Sequence, residues 1–305
     1  MELQSKFRGA LLGTAIGDSL GRRLEGTSKL RTSNVKDLVM SCSKLRYTDD
    51  TQMMIGVAES LVGRGEFDGK HMAQRFVENF DPLRGYGPGS TRVIHEIKRG
   101  ETWNSPAKKL FGGSGSYGNG SSMRIAPIGL FYHDDFEQLY SIAKASSRIT
   151  HTHELGVEGA ALQACAVGLA TNADPNVGLP VYDFVEKIQD FVKSEEYRRK
   201  LRVLEEFLKE GATNSEVVHE LGNGIEAFNS VPTAIYSFLS NLESFESAVI
   251  YAIDLGGDTD TIGAMTGAIS GAYHGSERIS SKWKEKLEDR DRIIQLADKL
   301  FEIKT

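Results

Sequence analysis

Two short segments, far apart in the chain, carry closely spaced aspartates flanked by threonines. The first reads YTDDTQMMIG over residues 47–56, and the second reads GGDTDTIGAM over residues 256–265. One threonine or aspartate is enough to cap a helix and to complement the positive end of its dipole. The second carboxylate of each segment exceeds that need, so the repeated pattern indicates a role beyond capping.

Both segments offer a metal ion oxygen ligands only. Neither contains cysteine or histidine, and hard divalent cations prefer carboxylates, hydroxyls and water. Four carboxylates without a cation would repel one another and raise one another's pKa values, so two divalent ions, carrying a charge of about +4, would neutralise them. Magnesium or manganese is favoured over zinc or iron. If the two segments converge, the metal ligands are Thr48, Asp49, Asp50, Asp258, Asp260 and Thr261.

The elements that must position these residues are helices. Apolar residues recur at three- and four-residue steps over residues 7–21 and 50–62, and residues 156–170 are almost wholly small or apolar. Such patterns predict buried helices, whereas the mixed charges over residues 183–210 predict peripheral amphipathic ones. Glycines 9, 13 and 17 form a separate line on the first helix that permits close helix approach. Strand patterns are scarce, so we predict one large all-α domain over residues 1–305.

Composition limits the classes of partner. The formal net charge of −6 gives no overall attraction to nucleic acid or to an anionic membrane, and no stretch is long and apolar enough to span a bilayer. Cys42 and Cys165 have no paired spacing, which argues against disulfide frameworks and thiolate zinc sites. Asp18 interrupts the N-terminal apolar run, which argues against a secretion signal. We expect a soluble, cytoplasmic monomer that does not bind nucleic acid directly.

Glycine-rich segments separate the helical patterns at residues 84–90, 111–122 and 221–225. The second reads FGGSGSYGNGSS and holds enough glycine to expose successive backbone N–H groups, an arrangement that cradles phosphate oxygens. Glycine content alone is equally compatible with a flexible surface loop.

The motifs resemble those of the ADP-ribosyl-acceptor hydrolases, the ADP-ribosylglycohydrolase family, over essentially the whole chain. They are FRGALLGTAIGDSLGRRLEG (7–26), YTDDTQMM (47–54), GYGPGS (85–90), GSYGNGSSMRIAPIGL (115–130), SRITHTHELG (147–156), GNGIEAFNSVPTAIYSFL (222–239) and GGDTDTIGAMTGAISGAYHG (256–275). The resemblance implies an all-α orthogonal multi-helix bundle whose cleft holds two magnesium ions between the two acidic segments. Within the family, residues 115–120, 149–156 and 222–236 most resemble the branch that removes ADP-ribose from serine and degrades poly(ADP-ribose).

Catalytic roles follow from this resemblance, residue by residue. Glu25 matches a glutamate on the loop after the first helix and becomes the candidate general acid or base. Without the resemblance it would be interpreted as a surface carboxylate. Asp260 is expected to bridge the two ions, and Asp18 is expected to support the structure rather than to react.

The resemblance also assigns the substrate contacts. It implies that Gly85, Gly87 and Gly89 lie beside the distal ribose, and that His151 contacts phosphate or ribose. His153 is interpreted as a surface residue, and Met123, Arg124 and Tyr236 as structural residues. Near the phosphates the resemblance places Gly115, Ser116, Tyr117 and Gly118, and near the adenine it places Phe111 and Ile225.

The sequence therefore predicts metal-dependent hydrolysis of an O-glycosidic bond that links ADP-ribose to serine, to poly(ADP-ribose) or to an acetyl group. The partner is ADP-ribose or an ADP-ribosylated protein. Three alternatives stay open at this point: an arginine-directed hydrolase of the same family, a non-hydrolytic ADP-ribose-binding protein, and a metal-dependent phosphohydrolase.

Overall fold

A computed structural model describes residues 2–25, 37, 41 and 43–305. Secondary structure in these residues consists of α-helices and short 3-10 helices, with two isolated β-bridges and no strand, so the predicted all-α fold is confirmed. The α-helices are α1 (Leu3–Gly21), α2 (Asp49–Arg64), α3 (Gly69–Asn79), α4 (Pro88–Lys98), α5 (Ala126–Phe131), α6 (Phe136–Ser147), α7 (Glu154–Asn172), α8 (Val181–Gln189), α9 (Glu195–Glu210), α10 (Asn214–Glu220), α11 (Ala227–Leu239), α12 (Phe245–Asp254), α13 (Thr259–His274), α14 (Ser281–Lys286) and α15 (Arg290–Lys304).

Helices α1 and α13 pack antiparallel at the centre of the fold, backbone against backbone. A Cβ added at Gly13 would lie 2.1 Å from the Gly267 carbonyl oxygen, and one at Gly17 would lie 2.0 Å from that of Gly263. The glycines repeat every four residues on both helices, so they form a continuous line of contact. The predicted close approach of the first helix is confirmed. Because the pair is antiparallel, the end of α1 lies beside the start of α13.

The remaining helices surround this pair as their sequence patterns predicted. Helix α7 is buried along most of its length, in agreement with its small and apolar composition. Helices α8 and α9 cover the stretch predicted to be amphipathic, and α9 buries Tyr197, Leu201 and Leu204 on one face.

The sequence analysis also made claims about cysteines and about membranes. Cys165 is buried and forms no disulfide, while Cys42 lies outside the described residues. A search of the described helices finds none with the length and apolar character that a bilayer crossing requires.

Candidate active site

One cavity of about 260 Å³ brings the acidic residues of three distant segments together. Carboxylate oxygens of Glu25, Asp258 and Asp260 lie within 4.8 Å of one another. Asp49 and Asp50 line the same cavity. Four aspartates and one glutamate therefore share a single concave surface.

Three helix ends deliver these carboxylates. Glu25 follows the C-terminal end of α1 in a turn. Asp49 and Asp50 lie in the first turn of α2, and Asp258 and Asp260 lie at the N-cap and in the first turn of α13. The positive dipole ends of α2 and α13 thus lie beside the acidic groups and offset part of their repulsion.

Asp18 fixes the start of α2 against α1. Its carboxylate is fully buried and accepts hydrogen bonds from the backbone N–H of Thr48 at 2.9 Å, the backbone N–H of Thr51 at 3.1 Å and the Thr51 hydroxyl at 2.5 Å. Burial raises the pKa of Asp18 to about 6, although these hydrogen bonds oppose the rise. This arrangement agrees with the supporting role predicted for Asp18.

The two threonines assigned to the metal site also contact its aspartates. Thr48 caps α2, and its Oγ1 accepts from the Asp50 backbone N–H and donates to Asp50 Oδ1, both at 3.3 Å. Thr261 lines the cavity, and its backbone N–H donates to Asp260 Oδ1 at 2.9 Å.

Asn119 is a site residue that sequence reasoning missed. Its buried side chain donates from Nδ2 to Asp258 Oδ2 at 2.5 Å and to the Ser230 hydroxyl at 3.0 Å. The residue lies within the glycine-rich motif quoted above. The only sequence signal for this role was one amide side chain in a run of glycines. Glycines suit turns and close approaches of the backbone, and an amide can donate a hydrogen bond that orients a carboxylate.

The electrostatics of the cluster favour a divalent cation. Burial and the charges of Asp258 and Asp18 raise the pKa of Asp260 to about 9. Burial and the charge of Asp18 raise the pKa of Asp49 to about 7, and burial also raises the pKa values of Asp50 and Asp258. Asp50 Oδ2 is buried and has no hydrogen-bond partner in the part of the chain that the structure describes. Buried, mutually repelling carboxylates with an unpaired oxygen fit a hard cation.

Glu25 differs from the aspartates because it is exposed at the cavity edge. Burial of part of its side chain and the charge of Asp258 raise the pKa of Glu25, and the Arg22 guanidinium opposes both effects. A carboxyl group with a raised pKa, close to the other acids and reachable by solvent, suits proton transfer at neutral pH.

The rest of the cavity is lined by most of the predicted substrate contacts. Phe111 and Ile225 are 67% and 66% exposed, so each presents an apolar surface with no protein partner covering most of it. Phe111 has a φ of 51°, an uncommon left-handed conformation for a bulky residue and one that functional sites often retain. The other predicted contacts that line the cavity are Gly85, Gly87, Gly89, Ser116, Gly118 and His151.

Gly115 and Tyr117 are not among the residues that line the cavity. A Cβ at Gly115 would lie 2.2 Å from the Thr152 hydroxyl, so glycine is needed there for packing. The Tyr117 ring packs edge-on against His153, with ring centroids 5.5 Å apart, and also lies near Phe228. Of the four residues predicted to lie near the phosphates, only Ser116 and Gly118 therefore line the cavity.

Two of the structural interpretations need correction. His153 is not simply a surface residue, because its Nδ1 accepts a hydrogen bond from the Leu155 backbone N–H at 3.2 Å and caps α7. Met123 lines the cavity rather than only bracing helices. Arg124 and Tyr236 are buried, as predicted.

His151 is held as a neutral ring. Burial, aided by the charge of Arg124, lowers the pKa of His151 to about 3. Its Nδ1 lies 2.7 Å from the Thr150 hydroxyl, and a Cβ at Gly118 would lie 3.6 Å from its Nε2. When Thr150 donates to Nδ1, Nε2 carries the proton, and this N–H is available beside the glycine loop.

Comparison with known proteins places this cavity in context. A family model described as ADP-ribosylglycohydrolase matches residues 1–305. The chain is 37% identical to ADP-ribosylhydrolase ARH3 of Xenopus tropicalis, over 98% of this chain and 95% of that protein. It is 35% identical to ADP-ribosylhydrolase ARH3 of Homo sapiens, over 98% of this chain and 93% of that protein.

Two further comparisons bear on specificity and fold. The chain is 27% identical to ADP-ribosylarginine hydrolase Tri1 of Pseudomonas putida (strain GB-1), over 97% of this chain and 78% of that protein. A solved structure titled ADP-ribosylglycohydrolase-related protein complex superposes with a TM-score of 0.75 at 27% identity, covering 100% of this chain and 99% of that one.

Proposed function

Because this chain belongs to the ADP-ribosylglycohydrolase family, we propose that it hydrolyses the O-glycosidic bond between ADP-ribose and its acceptor and releases ADP-ribose. The observation that carries the proposal is the convergence of Glu25 with the aspartates of α2 and α13 in one cavity. The glycine loops and the exposed surfaces of Phe111 and Ile225 line the same cavity, which is the combination a ribose, a diphosphate and an adenine require.

The acceptor linkage is the finer part of the proposal. Identity to the relatives named ARH3 is 35–37%, whereas identity to the arginine hydrolase is 27%. The motifs over residues 115–120 and 149–156 also resemble the branch that acts on serine and on poly(ADP-ribose). Serine-linked, polymeric or O-acetylated ADP-ribose is therefore favoured over arginine-linked ADP-ribose as the substrate.

The metal part of the proposal is two magnesium ions, for which manganese can substitute. When bound, such ions orient ribose hydroxyls and stabilise the charge that develops during hydrolysis. The donors proposed to hold them share oxygen chemistry and lie at the starts of α2 and α13; they are Thr48, Asp49, Asp50, Asp258, Asp260 and Thr261.

The residues of the chain supply binding and proton transfer. Gly85, Gly87 and Gly89 add no side chain to the cavity wall that they share with Pro88 and Ser90, which gives a ribose room to approach the aspartates. Glu25 is the group proposed to take a proton from water or to give one to the leaving oxygen, as glycoside hydrolysis requires. The neutral Nε2–H of His151 is proposed to donate to a phosphate or ribose oxygen.

A substrate panel tests the proposal directly. The protein is incubated with magnesium and with serine-linked, arginine-linked, O-acetylated and polymeric ADP-ribose, and the products are identified by mass spectrometry. We expect intact ADP-ribose from the O-linked substrates and little from the arginine-linked one. Release of AMP or inorganic phosphate would favour a phosphohydrolase, and binding without any product would favour a non-hydrolytic protein.

The proposal extends to the whole molecule: one domain over residues 1–305, acting as a monomer in the cytoplasm without direct nucleic-acid binding. The packing of α1 on α13 supports one domain, because it joins segments that are far apart in the chain. Size-exclusion chromatography with light scattering tests the monomer, and the expected mass is 33.5 kDa.

A further inference from the structure

A second concave surface, of about 420 Å³, lies at the C-terminal end of α1. The described residues that line it include no carboxylate and four cationic side chains. They are Ser19, Arg22, Arg23, Ser43, Lys44 and Arg46. We call this surface the basic pocket.

The four cations of the basic pocket are exposed, and none of their side chains forms an ion pair or a hydrogen bond with another described residue. Cations on an ordinary protein surface are interspersed with acidic residues, as they are along α9, where Arg202 pairs with Glu195 and Lys209 with Glu205. Four cations that no described residue pairs, gathered in one concavity, favour an anionic ligand. Guanidinium groups bind phosphate oxygens in a bidentate geometry.

Ser19 adds a second, independent feature. It is 2% exposed, its hydroxyl has no hydrogen-bond partner among the described residues, and it lines the basic pocket. A buried hydroxyl without a partner is unfavourable, so such a group in a pocket wall indicates a ligand atom that completes its hydrogen bonding.

The basic pocket is lined by close chain neighbours of residues that line the cavity. Arg22 and Arg23 lie in the same turn as Glu25, and Arg46 precedes Thr48 by two residues. Phe111 and Ile225, the proposed adenine contacts, line the cavity but not the basic pocket. Because Glu25 is proposed to act at the bond being cleaved, and the proposed adenine contacts line only the cavity, we assign the basic pocket to the acceptor side of that bond.

We propose that the basic pocket binds the diphosphate of the next ADP-ribose unit when the acceptor is poly(ADP-ribose). The inference rests on the proposed function and extends it. In the polymer the leaving group is a hydroxyl of another ADP-ribose, so a second diphosphate follows the cleaved bond across one ribose. Two adjoining anionic groups match several guanidinium forks better than isolated peptide carboxylates do. O-acetyl-ADP-ribose carries no such second diphosphate and leaves the basic pocket empty.

The test compares two substrates in one double variant. Arg23→Ala combined with Arg46→Ala removes two exposed cations, while Arg22 stays in place because its charge acts on Glu25. We expect kcat/KM for an ADP-ribose trimer to fall about tenfold, mainly through KM, and to depend less on salt. The value for O-acetyl-ADP-ribose should stay within about twofold, because that substrate makes no contact with the lost charges. The matched control is Arg198→Ala combined with Lys299→Ala, two exposed cations outside both cavities.

Each outcome bears on one claim. An equal loss on both substrates, or no loss on the trimer, would overturn the basic pocket as a diphosphate site. So would a wild-type protein that cleaves O-acetyl-ADP-ribose but not the trimer. A wild-type protein that cleaves none of the O-linked substrates would refute the proposed function itself.

Discussion

Substitution of Glu25 should impair catalysis without impairing substrate binding. The substitution Glu25→Gln keeps the size and polarity of the side chain but removes the exchangeable carboxyl proton. We expect kcat to fall by about 10²–10⁴, the usual range for losing a general acid or base, while ADP-ribose binds with nearly unchanged affinity. Turnover of O-acetyl-ADP-ribose and calorimetric titration with ADP-ribose measure the two effects.

Glu66→Gln is the matched control for this experiment, because Glu66 is an exposed glutamate outside the cavity. It should leave both kcat and ADP-ribose affinity unchanged. A Glu25→Gln enzyme that turned over at the wild-type rate would rule out proton transfer by Glu25.

Asn119 is expected to act on the metal site through Asp258. The substitution Asn119→Ala removes the hydrogen bond that orients the Asp258 carboxylate. Partners of this kind typically contribute 10- to 100-fold to metal affinity, so the magnesium concentration for half-maximal activity should rise by about that factor. Activity at saturating magnesium should largely recover. Asn104→Ala, at an exposed site, should leave the magnesium dependence unaltered, and an Asn119→Ala enzyme with wild-type dependence would contradict the role.

At the scale of elements, the contact between α1 and α13 sets the geometry of the cavity. The substitution Gly13→Ala would place a methyl group 2.1 Å from the Gly267 carbonyl oxygen, so the two helices must separate. We expect the free energy of unfolding to fall by about 1–3 kcal/mol, despite the higher helix propensity of alanine. Denaturant unfolding followed by circular dichroism measures the change.

Gly63→Ala provides the control for this helix substitution. Gly63 is exposed on α2, and an added Cβ would meet only the His71 side chain, at 3.1 Å. The free energy of unfolding of the Gly63→Ala protein should change by less than about 1 kcal/mol. If Gly13→Ala and Gly63→Ala lowered this free energy equally, the close approach of α1 and α13 would not be the cause of the loss at Gly13.

The elements also show what the sequence could and could not predict. Apolar periodicity over residues 7–21 predicted a buried helix with a line of glycines, and α1 has this form. The glycines did not identify the partner helix, although residues 263, 267 and 271 repeat the same four-residue spacing and could have been paired with them. Periodicity describes one helix at a time, whereas convergence of the two acidic segments depends on how helices pack.

For individual side chains, the residue type predicted the chemistry of the site better than it predicted which groups would contact one another. Aspartates preceding a helix predicted a metal-binding chemistry, because carboxylates are costly to gather without a cation. Asn119 and the capping role of His153 escaped prediction because an isolated amide or imidazole has no periodic or compositional signal. Their hydrogen-bond partners are fixed by the three-dimensional arrangement alone.

For the whole molecule, the acidic cluster makes metal-free stability depend on pH. An unfolded aspartate releases its proton near pH 4, whereas the pKa values of folded Asp49 and Asp260 are raised to about 7 and 9. Between these values the native state holds more protons than the unfolded state, so stability falls as pH rises. We expect the melting temperature of the chelator-treated protein to decrease from pH 5 to pH 9.

Added magnesium should reverse this trend, because an ion that binds only the native state stabilises it. The difference in melting temperature between magnesium-loaded and chelated protein should therefore widen with pH, as differential scanning calorimetry can measure. Asp260→Asn removes one of the titrating groups and should flatten the pH dependence of the chelated protein. A chelated wild-type protein whose melting temperature is independent of pH would contradict the raised pKa values.

The antiparallel pairing of α1 with α13 has a consequence for biosynthesis. Asp258 and Asp260 leave the ribosome more than two hundred residues after Glu25. At about 5–20 residues per second this interval is on the order of ten seconds or more, during which the glycine-lined face of α1 has no native partner. A nascent chain can therefore neither turn over substrate nor assemble its acidic cluster until residues 258–260 have been synthesised, and chaperones that shield α1 are expected to matter most in that interval.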